Sequence, residues 1–113
     1  MPVSPMDQEF DDLKREFLAE ARDKIQEIET TLEGGRDPGR LERLTYLAHQ
    51  LKGSGGSYGF QRISTDAAEL EKAVEHLGTG SDDGRLEEKI QLHVVNIRAE
   101  IEKRKRELTA AVR

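Results

Sequence analysis

The chain has no cysteine and no tryptophan, only three prolines, and aromatic residues make up just 4% of it. Without cysteine no disulfide can form, and a reducing compartment is compatible. No apolar run approaches the roughly 20 residues that a membrane span needs. The opening stretch, Met1-Pro-Val-Ser-Pro-Met-Asp7, lacks the charged and apolar regions of a signal peptide. These absences set the expectation of a cytoplasmic protein with no membrane association. The net charge is −5, with acidic and basic residues mixed along the chain. That argues against nucleic acid as a partner, which would call for a net basic face.

What is present is charge in quantity, 36% of all residues, set between regularly spaced apolar ones. High charge alone is compatible with disorder, but regular apolar stripes argue for amphipathic helices packed on one another. At 113 residues the chain is read as one domain, 1–113, with a single modest core.

Four helical segments are predicted. The first runs from Pro5 to Glu33, with Phe10, Leu13, Phe17, Ala21, Ile25, Ile28 and Leu32 spaced by threes and fours. Gly34-Gly35 ends it, and Arg36-Asp37-Pro38-Gly39 is a turn. The second runs from Pro38 to Tyr58, with Gly59 at the position of a C-terminal glycine. The third starts at Phe60 or Ser64 and ends at Leu77, with Ile63, Ala67, Leu70 and Val74 apolar. Residues 78–84 form a loop that ends in good N-cap residues. The fourth runs from about Asp83 to Ala110, on Leu86, Ile90, Val94, Ile97, Ile101 and Leu108, and Lys103-Arg104-Lys105-Arg106 places positive charge near its C-terminus. No segment alternates with period two, so no sheet is expected. Short connections make successive helices antiparallel neighbours, and the expected fold is an all-α, up-down four-helix bundle.

The most informative stretch is residues 45–60, Thr-Tyr-Leu-Ala-His49-Gln-Leu-Lys52-Gly53-Ser-Gly55-Gly56-Ser-Tyr-Gly59-Phe. Leu41, Leu44, Leu47, Ala48, Leu51, Gly55 and Tyr58 fall on one helical face. At about 100° per residue, His49 points roughly 140° from the centre of that stripe, toward water or the core rim. Gly53 lies one turn above it and Gly56 two turns above. A glycine inside a helix costs about 1 kcal/mol relative to alanine, so these positions leave bare backbone beside the imidazole, open to something large. Lys52, three residues on, can bring its ammonium to the same neighbourhood. A lone helical histidine is ordinarily a solvated surface residue; the glycines and Lys52 reverse that reading for His49. His76 and His93 have no such setting and are read as surface or boundary residues. Phe10, Leu13 and Phe17 are read as core, with an apolar docking patch beside His49 as the alternative.

Other chemistries fit less well. The glycine-rich run is neither G-x-G-x-x-G nor G-x-x-x-x-G-K-[ST], and it follows a helix where those loops follow a strand. No cluster has metal-ligand spacing. Ser54 or Ser57 with His49 on one regular helix would be poorly aimed for a hydrolase, and no oxyanion hole is evident.

His49-x-Leu51-Lys52-Gly53-Ser54, with Gly59 ten residues after the histidine, resembles the signature of histidine-containing phosphotransfer domains. Gly55-Gly56 departs from it, since serine or alanine is more usual there. The resemblance implies that His49 is a phosphoacceptor that exchanges a phosphoryl group with aspartates of response-regulator receiver domains. A histidine kinase is the other implied partner. Imidazole suits the task because its unperturbed pKa of about 6.5 leaves a neutral nucleophile near pH 7. Attack comes from the exposed nitrogen, taken as Nε2, while an acceptor holds the other. Glu71 borders the third apolar stripe and resembles the glutamate or glutamine that supports the histidine in some family members, notably in chemotaxis kinases. Lys52 would then partly neutralise the phosphoryl oxygens as a point charge, and Gly53, Gly56 and Gly59 would keep the surface accessible. The resemblance also implies that Mg²⁺ and most catalytic groups belong to the receiver. The chain is therefore expected to need no cofactor or metal of its own, to be no enzyme in its own right, and to be a monomer. Two alternatives stand beside this reading: the N-terminal module of a larger chemotaxis-type kinase, and a helical adaptor that is never phosphorylated.

Overall fold

The structure is a computed structural model, and it describes residues 5–80 and 84–111. Among them are four helices and no strand: α1 (Pro5–Glu33), α2 (Pro38–Ser57), α3 (Gln61–Gly78) and α4 (Arg85–Ala111). The all-helical expectation holds. The third helix begins at Gln61 rather than at Ser64 and runs one residue past Leu77. The second stops one residue before Tyr58. The expected start at Asp83 and its capping residues lie outside the described residues.

Local chemistry accounts for the ends. Asp37 caps α2, its carboxylate accepting from the Arg40 amide at 3.4 Å, with Pro38 in the first turn. At the other end Phe60 N donates to the Gly55 carbonyl at 2.8 Å and Gly59 N to that of Gly56 at 3.1 Å. This is the paired bonding of a Schellman stop, and it needs a left-handed residue between the two helices. Gly59 supplies it, with φ +83°.

Each helix buries one stripe. Leu18, Ile25 and Ile28 of α1, Leu44, Leu47 and Leu51 of α2, Ile63, Leu70 and Val74 of α3, and Ile90, Ile97 and Ile101 of α4 are all buried. Two expected core residues are not there. Phe10 and Leu13 are 45% and 47% exposed, and Leu18 carries the stripe further along α1 instead. The reason is length. α1 and α4 have 29 and 27 residues against 20 and 18 for α2 and α3. At about 1.5 Å per residue they outrun the shorter pair by roughly 13 Å, and the first turns of α1 have less to pack against. Phe10 still meets the Tyr58 ring edge-on, while Phe17 stacks on Tyr58 and Phe60 at centroid distances of 5.3 and 5.6 Å.

The helices meet in ring order: α1 with α2, α2 with α3, α3 with α4, and α4 with α1. A polar tie crosses every seam. Arg43 clamps Glu27 from α2 to α1, Arg98 clamps Glu29 from α4 to α1, and His93 meets Asp66 between α4 and α3. The fourth tie, between α2 and α3, contains His49.

Candidate functional site

The α2 stripe Leu44, Leu47, Ala48, Leu51 and Gly55 is buried, which turns His49 outward. Its side chain is 64% exposed. The ring is not free to spin, because Nδ1 lies 3.0 Å from Glu71 Oε2 on α3. An ionised carboxylate can only accept, so Nδ1 carries the proton and Nε2 is the nitrogen left with a lone pair. Lys52 Nζ donates to the other Glu71 oxygen, Oε1, at 2.9 Å. The three residues singled out in the sequence therefore sit together, with Glu71 as the bridge.

Glu71 itself is only 14% exposed. Burial pushes its carboxyl up, but the hydrogen bonds from Lys52 and His49 and their charges outweigh it, and the net shift is downward from the usual 4.5. Glu71 is thus held ionised beside the imidazole.

The glycines separate into different tasks. A Cβ on Gly53 would meet no heavy atom within 4 Å, and one on Gly59 would also stand in open space. Gly56 is half-buried, and its Cβ would touch only Ser64 Oγ at 3.5 Å. Gly55 is different. Its Cβ would lie 3.2 Å from both Ile63 Cγ2 and the Ser64 backbone nitrogen, so this glycine lets α3 approach α2. Close to that approach, Ser64 Oγ donates to the Lys52 carbonyl at 2.8 Å, and Ser57 Oγ to that of Gly53 at 3.0 Å. Ser64 was missed in the sequence. The available signal was its spacing of seven residues from Glu71, which puts both on one face of α3.

The other histidines differ. His76 is exposed. His93 has a carboxylate on Nδ1 too, Asp66 Oδ1 at 2.8 Å, but its side chain is 18% exposed, and Asp66 is shared with Asn96 rather than with a lysine. Among the described residues no group of three or more His, Asp or Glu side chains is placed to hold a metal ion. No helix among them is long and apolar enough to cross a membrane.

The family model described as Hpt domain matches residues 12–108, which cover α2 and α3, most of α1 and α4, and the whole His49 site. The chain belongs to the Hpt family. Comparison with curated proteins and with solved structures returns no match. Membership of the Hpt family implies phosphotransfer in two-component signalling, where Hpt domains interact with kinases and response regulators.

Proposed function

We propose that His49 is the phosphoacceptor of this Hpt domain and that it exchanges its phosphoryl group with receiver-domain aspartates. The observation that carries this reading is the exposed Nε2 of a ring whose Nδ1 is held by Glu71 at 3.0 Å. The Nε2 lone pair attacks the phosphorus of a receiver aspartyl phosphate. The N–P bond forms, the P–O bond to the aspartate breaks, and the receiver carboxylate leaves. The proton on Nδ1 stays in place, and the positive charge that develops on the ring is met by the Glu71 carboxylate. Lys52 offsets charge on the phosphoryl oxygens, and the open backbone at Gly53 gives the receiver room to approach. Return to a second receiver is the same displacement in reverse. His93 has a comparable carboxylate contact but lacks exposure and a lysine partner, which is why the role falls to His49.

On this reading the chain is a phosphoryl carrier rather than an enzyme, working as a cytoplasmic monomer. The helices form an up-down antiparallel bundle. Ring-order packing supports that arrangement, as do the contacts that bring Phe10 and Phe17 of α1 to Tyr58 past the end of α2, and Arg15 of α1 to the Leu108 carbonyl near the end of α4. The test is incubation with phosphorylated receiver domains. An acid-labile, base-stable label should appear on the chain and be abolished in His49→Gln with helicity and thermal stability nearly unchanged. Label retained in that variant, or mapped to His76 or His93, refutes the assignment.

A further inference from the structure

Lys52 opens the most glycine-rich part of α2. Gly53, Gly55 and Gly56 follow it directly, and glycine gives a helix the most backbone freedom to lose. A lysine at the start of such a run has a flexible four-carbon stem on a flexible base. Yet both of its ends are held from α3. The ammonium is bound by Glu71 Oε1 at 2.9 Å, and the backbone carbonyl accepts from Ser64 Oγ at 2.8 Å. Ser64 is half-buried, and its backbone nitrogen lies 3.2 Å from the Cβ position of Gly55. Gly56 lacks the side chain that would crowd the Ser64 hydroxyl, its Cβ position being 3.5 Å from Oγ. A serine in the first turn of a helix ordinarily bonds to its own backbone; here it bonds across to the neighbouring helix.

We propose that Ser64 is a positioning residue for phosphotransfer: its hydrogen bond to the Lys52 carbonyl anchors the glycine-rich end of α2, so that the Lys52 ammonium stands beside the His49 imidazole. The inference rests on the reading of His49 as phosphoacceptor. Ser64 touches neither the imidazole nor the phosphoryl group. It acts through Lys52, and its effect must vanish when Lys52 has no charge to place.

The test compares Ser64→Thr with Ser64→Val, two side chains of nearly equal shape that differ in the hydroxyl. Each is made in the full chain and again beside Lys52→Met, and transfer from a phosphorylated receiver is timed well below the melting temperature. The threonine variant should transfer near the wild-type rate. The valine variant should be slower by about fivefold, the order of one net hydrogen bond, with unchanged affinity for the receiver. Beside Lys52→Met, valine and threonine should transfer equally, because positions coupled through one residue are not additive. Equal rates for the two variants in the wild-type background overturn the proposal. So does a valine defect that persists beside Lys52→Met, which would mean that the hydroxyl acts otherwise than by placing the Lys52 ammonium. Failure of the underlying reading looks different: His49→Gln would still take up label whatever stands at position 64.

Discussion

Gly53 and Gly55 are two residues apart in one helix, and alanine at the two positions should have opposite effects. Replacing a helical glycine with alanine removes unfolded-state freedom and gains up to about 1 kcal/mol where the new methyl meets nothing. Gly53 meets that condition, with no heavy atom within 4 Å of the added Cβ. Gly55 gains the same propensity, but its Cβ would stand 3.2 Å from Ile63 Cγ2 and from the Ser64 backbone nitrogen. Carbon contacts are optimal at about 3.5–4.0 Å, so α3 must back away by a few tenths of an ångström. One of the two obstacles is the backbone that also carries the Ser64 hydroxyl, and it cannot rotate aside as a side-chain tip would. Overpacking of this kind costs about 1–3 kcal/mol, which leaves Gly55→Ala net destabilised by about 1 kcal/mol. For a chain of this size 1 kcal/mol moves the melting temperature by about 4 °C, so the two variants should melt about 8 °C apart on either side of wild type. Thermal unfolding followed by circular dichroism reads this, with urea titration to check that the denaturant slope is unchanged. Gly55→Ala as stable as Gly53→Ala would mean that the α2–α3 approach yields freely and that Gly55 is not there for contact. A destabilised Gly53→Ala would mean that the backbone beside His49 is not helical.

Two further outcomes are expected. Gly59→Ala should destabilise by about 1–2 kcal/mol despite the open space around it, because φ +83° is a left-handed conformation; a neutral result in the same melting assay would mean that the Schellman stop reforms without it. The pH dependence follows from Glu71, whose folded value lies below the usual 4.5: its stabilisation is fully present above that usual value and is lost as the pH falls through the lowered folded one. The stability gap between wild type and Glu71→Gln should therefore close as the pH falls from about 6 to about 3, and a gap that stays constant in urea titrations across that range counts against the ion pair with Lys52.

The helices were legible because their signals are local. Period and the stop glycines Gly34-Gly35 placed α1 from about Pro5 to Glu33, and period with the turn residues placed α2 and α3 to within a few residues. The core was less legible at the ends of the long helices. Phe10 and Leu13 continue the α1 stripe in perfect phase, and phase alone cannot report that α2 ends before it reaches them. Leu18, buried though it stands outside that row, shows the converse: α1 packs against α2 on one side and α4 on the other, and the buried arc is wider than a single row of threes and fours. Ser64 gave only a weak signal, its spacing from Glu71, for a third reason. A half-buried serine on an amphipathic helix has no phase of its own, and its partner is a backbone carbonyl that every residue possesses.

The histidines mark the limit of motif reading and the point where geometry takes over. Spacing alone set His49 apart by its glycines and Lys52, and gave His93 no role. The structure gives both a carboxylate at hydrogen-bond distance from Nδ1, 3.0 Å for His49 and 2.8 Å for His93. An oriented imidazole is therefore not what distinguishes them. His93 lies in the seam between α3 and α4, where its ring ties the two helices and little of it reaches water. His49 lies on the outer slope of α2, and the carboxylate that orients it also binds a cation, so a phosphoryl group arriving at Nε2 would find a charge of opposite sign already in place. Orientation without access makes a structural tie. Orientation, access and a neighbouring ammonium together are what support the proposed phosphoacceptor role of His49.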